Sequence, residues 1–255
     1  MTLSKVLILH APGTNRDGDL AEAIRLAGGD PEIVPLSRLR KNGKQWRDYA
    51  MLALPGGFSY GDALGAGRLW ALELQTAFED LLQNFTESNR PVIGICNGFQ
   101  VLVKAGILPG NGQTATLTFN ALGHFECRWV TLITNTLNSS PWFTNLPPIH
   151  CPVAHGEGRF LLAEEQNLYQ EQIGFTYVHP DGSPAQMEYP INPNGSPLDI
   201  AGVTNPDGNV LGMMPHPEDH IHPYQHPNWT RSFGNGRGEI GGMGVKLFEN
   251  GLKMA

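Results

Sequence analysis

The sequence predicts an α/β fold, a mostly parallel sheet flanked by helices with an antiparallel extension. In the first half of the chain, apolar strand-like runs alternate with helical segments, the pattern of right-handed strand–helix–strand crossovers. After about Leu117 the apolar segments become shorter and alternate with polar residues, as in antiparallel strands. No repeat or linker interrupts the 255 residues, so a single domain over residues 1–255 is predicted.

The parallel half contains four predicted strands. "KVLILHAPG" predicts the first strand, and "DGDLAEAIRLAGG" predicts a helix with apolar spacing at Leu20, Ile24 and Ala27. "EIVPLSRL" predicts a short second strand, and "YAMLALPGGFSYGD" a third strand that ends in a glycine loop. A long amphipathic helix is predicted from Arg68 to Phe85, and "PVIGIC" is the fourth strand, followed by a helix.

The second half predicts shorter strands. The antiparallel candidates are "HFECRWVTLI", "RFLLAEE", "IGFTYV" and "PAQMEYP". "DIAGVTN" and "NVLGMMPHPE" flank an Asn-Pro-Asp-Gly turn, which predicts a hairpin. "GGMGVKLFENGLKMA" predicts a closing helix.

Composition limits the classes of partner and the compartment. A formal charge of −7 argues against nucleic acid or an anionic membrane as partner. Cys96, Cys127 and Cys151 form no Cys-x-x-Cys pair, so neither a disulfide framework nor a zinc knuckle is indicated. The apolar run near the N-terminus is too short for a signal peptide or a membrane span. We therefore expect a cytoplasmic protein with reduced thiols.

The segment "PVIGICNGFQ" places Cys96 at a turn from a strand to a helix, between Gly94 and Gly98. The sulfur is expected above the sheet edge and over the positive end of the helix, which favours the thiolate. The two glycines are expected to let the backbone bend. The alternative is a buried core thiol, because free cysteine behaves as a small hydrophobe.

The segment "MMPHPED" supplies a base and an acid. His216 and Glu218 are two residues apart, so their side chains share one face of an extended segment, and Pro217 restricts the backbone between them. A carboxylate bonded to one ring nitrogen would hold the tautomer that a general base needs. Cys96, His216 and Glu218 are thus a candidate triad; alternatively, His216 caps a loop and Glu218 is solvated.

A second glycine motif, "LPGGFSYGD", follows another predicted strand. The backbone N–H groups at Gly56 and Gly57 can point at the oxyanion of a tetrahedral intermediate. The N–H of Asn97, directly after the nucleophile, is the natural second donor.

Seven motifs together resemble one known family. They are "GICNGFQVL", "LPGGFSYGD", "APGTN", "FECRWV", "AHGEGRF", "NPNGS" and "LGMMPHPE". They resemble the class I glutamine amidotransferases, which have a flavodoxin-like sheet, and within them the glutaminase subunits of phosphoribosylformylglycinamidine synthase in purine biosynthesis. One departure lies at Arg16, where many members carry a cysteine, so a thiol is not needed there.

The resemblance implies hydrolysis of glutamine through a thioester at Cys96, with His216 and Glu218 completing the triad. It implies an oxyanion hole of Gly57 and Asn97. The expected substrate contacts are Gly56, Phe58, Gln100, Arg128, Trp129 and Val130. It also implies an ATP-dependent synthetase partner that receives ammonia, and it leaves open a small third subunit. We expect no cofactor in this chain, with ATP and Mg²⁺ bound by the partner, since the sequence lacks Gly-x-x-x-x-Gly-Lys-Ser/Thr.

The sequence also carries competing signals. The histidine-rich segment around His220, His222 and His226 could bind a metal, but its prolines exclude a His-Glu-x-x-His helix, so we predict no metal site. Residues His155 to Gly158 of "AHGEG" either line the entrance, meet the synthetase or form a glycine turn. The alternative functions are a related cysteine hydrolase or chaperone, or a non-catalytic binding subunit. "GRGEIG" matches a dinucleotide motif by letter only.

Overall fold

The computed structural model describes residues 3–42, 45–163, 169–234 and 243–255. Within these ranges, nine strands form one sheet in the order β2-β1-β3-β4-β11-β10-β9-β6-β7, and β5 pairs with β8 in a separate small sheet. The strands are β1 (Lys5–His10), β2 (Asp30–Pro35), β3 (Met51–Leu54), β4 (Val92–Ile95), β5 (Ala115–Thr118), β6 (Glu126–Thr134), β7 (Ile149–His155), β8 (Arg159–Leu162), β9 (Ile173–Val178), β10 (Ile200–Thr204) and β11 (Val210–Met213). The α-helices are α1 (Asp17–Leu26), α2 (Leu36–Asn42), α3 (Arg68–Ala77), α4 (Glu79–Glu87), α5 (Asn97–Lys104), α6 (Trp229–Gly234) and α7 (Val245–Met254).

The parallel core consists of β2, β1, β3, β4 and β11. β3 and β4 are buried at every position, as expected for strands covered on both faces. α1 packs against α7 on one face, and α3 packs against α5 on the other. β11 pairs parallel with β4, with Met213 opposite Ile95. The carboxyl ends of β3, β4 and β11 therefore meet at one edge of the sheet.

The antiparallel extension consists of β10, β9, β6 and β7. β10 and β11 form the predicted hairpin, with Gly202 opposite Met213. β6 pairs with β7 so that Glu126 lies opposite His155. The predicted α/β fold with an antiparallel extension is confirmed. Among the described residues, no helix has both the length and the apolar character needed to cross a bilayer.

Two predicted elements are wrong. The helix predicted from Arg68 to Phe85 is two helices, because Phe78 between them has φ −135° and ψ 26°, outside the helical region. "PAQMEYP" is not a strand: Gln186 and Met187 have φ of 53° and 60°, a left-handed conformation that ends any extended run.

Other predictions are incomplete. β5 and β7 are absent from the predicted elements. "EIVPLSRL" is a strand only as far as Pro35, after which α2 begins. The last two residues of "RFLLAEE" and the first two of the closing segment lie outside the described residues, as does "GRGEIG".

Candidate active site

The turn at Cys96 is a strained connection between β4 and α5. Cys96 has φ 50° and ψ −104°, which is unfavourable for a residue with a side chain. Its N–H donates to the carbonyl of Met213 at 2.8 Å, and its carbonyl accepts the N–H of Gln100 at 3.0 Å. Such strain persists where the surroundings enforce it, and it is concentrated at active sites.

The glycines around Cys96 serve close packing and not the bend. Neither Gly94 nor Gly98 has a positive φ. A Cβ atom at Gly98 would lie 2.0 Å from the carbonyl oxygen of Leu54, and one at Gly94 would lie 2.7 Å from the carbonyl oxygen of Gly98. The start of α5 therefore rests directly on β3 and β4, and the bend itself falls on Cys96. This corrects the expected role of the two glycines.

His216 and Glu218 form a buried hydrogen-bonded pair. Nδ1 of His216 lies 2.7 Å from Oε1 of Glu218, and the two residues are 2% and 1% exposed. Because an ionised carboxylate only accepts, Nδ1 carries a proton in both charge states of the ring, and Nε2 is the nitrogen that gains or loses the second proton. The alternative in which Glu218 is solvated is therefore wrong. The N–H of His216 donates to the carbonyl of Pro152 at 2.8 Å, which fixes the segment against β7.

Charges around the imidazole favour its protonated form. Burial alone would lower the pKa of His216, but the negative charges of the Glu218 carboxylate and of a Cys96 thiolate outweigh it and raise the pKa well above its ordinary value. Among the described residues, Nε2 of His216 has no hydrogen-bond partner of standard geometry. It is thus available to accept a proton.

Cys96 and His216 flank the same glycine. A Cβ atom at Gly56 would lie 2.7 Å from Cε1 of His216 and 3.5 Å from Cβ of Cys96. Cys96 is 5% exposed, and its thiol donates to the carbonyl of Ala154 at 3.6 Å. The thiol is buried, as in the core-thiol alternative, but it borders the imidazole. The structure thus brings the three predicted triad residues together.

The glycine loop after β3 leaves one amide free. Gly57 has φ +145°, a conformation that residues with a side chain rarely adopt. The N–H of Phe58 donates to the carbonyl of Gly13, and the carbonyl of Gly56 accepts the N–H of Arg16. The N–H of Gly57 has no acceptor among the described residues.

The second predicted oxyanion donor lies at the start of α5. Asn97 is the first residue of the helix, where backbone N–H groups have no partner within the helix. The structure therefore places the predicted donors beside Cys96, Gly57 in the loop after β3 and Asn97 at the first position of α5. Their role in binding an oxyanion stays a prediction.

Gln100 is bonded at both ends of its amide. Its Oε1 accepts from Nδ2 of Asn97 at 2.9 Å, and its Nε2 donates to the carbonyl of Glu157 at 2.7 Å. Oδ1 of Asn97 accepts the N–H of Ser59 at 3.2 Å. This chain of bonds links the turn at Cys96 to the glycine loop and to "AHGEG". A direct contact of Gln100 with glutamine stays a prediction.

The side chains of the segment Arg128–Val130 do not all face the same side of β6, and their contact with glutamine stays a prediction. Successive side chains of β6 point to opposite faces, so Trp129 faces away from Arg128 and Val130. Arg128 donates to Glu126 and to the hydroxyl of Tyr189, both at 2.6 Å, and Val130 is buried in the core. Phe58, another predicted contact, is 49% exposed beside the Gly57 turn.

His155 is a site residue to which the sequence assigned no chemistry. Its Nδ1 lies 3.0 Å from Oδ1 of Asn120, whose Nδ2 donates to two carbonyls. Oδ1 of Asn120 is therefore the acceptor and Nδ1 of His155 the donor, so Nε2 of His155 is an unprotonated, buried nitrogen with no hydrogen-bond partner among the described residues. Burial, with a smaller contribution from His216, lowers the pKa of His155 to about 3. No local pattern marks the contact, since Asn120 is 35 residues away.

The histidine-rich segment does not form one cluster. His220 and His226 pack with Trp129 and His150 at ring-centroid distances of 5.2 to 5.4 Å. His222 instead stacks on Tyr224. Among the described residues, only one group of three or more potential ligands has its donor atoms within 4.8 Å of one another. That group is His216, Glu218 and Asp219.

Residues 3–254 match the model of the CobB/CobQ-like glutamine amidotransferase domain. The chain belongs to this glutamine amidotransferase family. A solved glutamine amidotransferase from Thermotoga maritima has the same fold at 14% identity, with a TM-score of 0.55, and covers 100% of this chain and 99% of its own. The family match agrees with the site, because the cysteine, imidazole and carboxylate of the predicted triad lie at one sheet edge.

Relatives with higher sequence identity are subunits of one enzyme within this family. The subunit PurQ of phosphoribosylformylglycinamidine synthase from Treponema denticola is 51% identical in an alignment over 239 residues, with 85% of this chain and 88% of the relative covered. PurQ from Dehalococcoides mccartyi is 41% identical over 258 residues, covering 100% and 99%. A chain in the structure of PurLQS from Thermotoga maritima is 31% identical, with a TM-score of 0.75 and 99% of both chains covered.

Proposed function

We propose that this chain is the glutaminase subunit of phosphoribosylformylglycinamidine synthase in de novo purine biosynthesis. It hydrolyses glutamine to glutamate and ammonia and passes the ammonia to an ATP-dependent synthetase, which makes formylglycinamidine ribonucleotide. The 51% identity to PurQ from Treponema denticola carries this proposal. The convergence of Cys96, His216 and Glu218 supports it by providing a site for the hydrolysis.

The chemistry begins with proton transfer from the thiol of Cys96 to Nε2 of His216. The thiolate attacks the carboxamide carbon of glutamine, and the C–S bond forms as the carbonyl oxygen becomes an oxyanion. His216 returns its proton to the nitrogen, the C–N bond breaks, and ammonia leaves a thioester. His216 then takes a proton from water, the hydroxide attacks the thioester carbon, and the C–S bond breaks as His216 returns the proton to the sulfur, which gives glutamate and the thiol.

Each group around the sulfur has a role in these steps. Glu218 holds the Nδ1–H tautomer and stabilises the imidazolium. The N–H groups of Gly57 and Asn97 bind the oxyanion. Gly56 lies between Cys96 and His216, where a side chain would separate them, and Phe58 lies at the mouth of the site.

The synthetase partner supplies the nucleotide chemistry. ATP and Mg²⁺ bind to that partner, since the sequence of this chain lacks a Gly-x-x-x-x-Gly-Lys-Ser/Thr phosphate loop. A cytoplasmic location follows from the reduced cysteines and from this biosynthetic role. A small third subunit stays a prediction.

The experiment compares Cys96→Ala with Cys127→Ala in the complex with the synthetase. Cys127 is exposed on β6 and is not one of the predicted site residues, so it serves as the matched thiol. Cys96→Ala is expected to lower glutamine-dependent synthesis by about 10³-fold or more, while added ammonium still supports the reaction. Cys127→Ala is expected to retain both activities. Glutaminase activity retained in Cys96→Ala would refute the proposal.

A further inference from the structure

Arg16 contacts two segments of the catalytic site, the glycine loop after β3 and the segment after β11. It directly precedes α1, and its backbone N–H donates to the carbonyl of Gly56 at 3.3 Å. Its Cγ would lie 3.5 Å from a Cβ atom at Gly56. Its Nη1 lies 2.9 Å from Oδ2 of Asp19 and 3.4 Å from Oδ1 of Asp219. One residue therefore joins the glycine loop after β3 to the segment after β11.

Asp219 is a second carboxylate beside the catalytic pair. It follows Glu218 directly, and its side chain is only 15% exposed. One of its oxygens lies within 4.8 Å of a ring nitrogen of His216 and of an oxygen of Glu218. Because this distance is short and the surroundings are largely dry, the charge of Asp219 acts on the imidazole.

We propose that Arg16 is a positioning residue for the glutaminase reaction, which holds Asp219 ionised against the His216–Glu218 pair and ties this segment to the Gly56 loop. The inference rests on the proposed function, because it concerns the same triad. The ionised Asp219 attracts the imidazolium form of His216. It therefore stabilises the thiolate–imidazolium pair that precedes attack on glutamine.

The surrounding charges set when Asp219 is ionised. The titratable and charged groups around it are Arg16 and Asp19 at α1, His216 and Glu218 in its own segment, and Cys151 on β7. From α7, Lys246 pairs with Glu249 instead. Burial and then Glu218 raise the pKa of Asp219 to about 6, while His216 and Arg16 act in the opposite direction.

The sign of the expected change follows from these charges. Removing the Arg16 guanidinium takes away a group that favours the ionised carboxylate, so the pKa of Asp219 rises further. The active, ionised form is then lost at a higher pH. The acid limb of the pH profile of glutamine-dependent turnover should shift to higher pH by about one unit. The shift is modest because the guanidinium is partly exposed.

The test uses Arg16→Ala, Arg16→Lys, Asp219→Asn and the double variant Arg16→Ala/Asp219→Asn. Arg25→Ala is the matched control, since Arg25 also lies on α1 and pairs with a carboxylate, that of Glu22. Glutamine-dependent and ammonium-dependent turnover of the complex are measured from pH 5 to 8.5. The rate of Cys96 alkylation by iodoacetamide, followed by mass spectrometry of its peptide, reports the thiolate in the isolated chain.

Arg16→Ala is expected to raise the midpoint of the acid limb both of glutamine-dependent turnover and of Cys96 alkylation, with kcat for glutamine about fivefold lower at pH 6 and KM changed less than twofold. Arg16→Lys should restore the midpoint, because it keeps the charge. Asp219→Asn should abolish the response to Arg16→Ala, and Arg25→Ala should match the wild type.

Two results would overturn the inference: an unchanged midpoint in Arg16→Ala, or an equal loss at every pH. A wild-type complex that uses ammonium but not glutamine would instead refute the proposed function. The pH profile of Cys96 alkylation would still test the positioning role of Arg16.

Discussion

Gly98→Ala should disrupt the site by moving the helix that follows the nucleophile. A Cβ atom at this position would lie 2.0 Å from the carbonyl oxygen of Leu54, whereas Cβ contacts below 3.0 Å are essentially never seen. α5 must therefore move away from β3 by about 1 Å. Overpacking of this kind costs about 1 to 3 kcal/mol of stability. Because α5 begins directly after Cys96, the sulfur moves with it, and a 1 Å displacement costs about 100-fold in turnover.

The assay pairs thermal unfolding with turnover of the complex. The melting temperature should fall by about 2 to 4 °C for each kcal/mol lost, and glutamine-dependent turnover by about 100-fold, while ammonium-dependent turnover persists. Gly18→Ala is the matched control, because nothing lies within 4 Å of a Cβ atom there. Turnover of Gly98→Ala within twofold of the wild type, at an unchanged melting temperature, would refute the packing argument.

Two further predictions concern ionisation. Glu218→Gln removes the charge that helps raise the pKa of His216, so glutamine-dependent turnover should fall about 100-fold or more with ammonium-dependent turnover intact; a loss below threefold in steady-state assays would contradict the assigned role. The pKa of His155 is lowered to about 3 in the folded chain, so below about pH 6.5 the imidazole is protonated only in the unfolded chain. The free energy of unfolding therefore falls as the pH drops below about 6.5. Between pH 6.5 and pH 5, the free energy of unfolding of His155→Asn should therefore decrease by roughly 1.5 kcal/mol less than that of the wild type, as measured by urea titration. Equal decreases in the two proteins would contradict a buried, neutral imidazole.

The sequence predicted the fold where local pattern and topology agree. Apolar runs marked β1, β3 and β4, and the parallel crossovers placed their carboxyl ends at one edge. Cys96 and His216 lie 120 residues apart in the chain, yet both follow strands that are neighbours in the sheet. For this reason the candidate triad could be assembled from motifs alone.

The sequence failed where long-range packing decides the conformation. The break at Phe78 interrupts an apolar spacing that continues on both sides, so periodicity could not reveal it. The left-handed turn at Gln186 and Met187 involves residue types that do not mark turns. The contact of His155 with Asn120 and that of Arg16 with Asp219 join distant segments, and no local pattern encodes either.

The most direct test of the central claim is covalent labelling by a glutamine analogue that carries a leaving group, followed by peptide mapping. The chain provides its own controls: Cys127 is exposed and is not a member of the triad, and burial raises the pKa of the Cys151 thiol well above its ordinary value. We predict that the analogue alkylates Cys96 alone, that added glutamine protects it, and that Glu218→Gln slows the reaction. Labelling of Cys127 or Cys151 in place of Cys96 would contradict the assignment of the nucleophile.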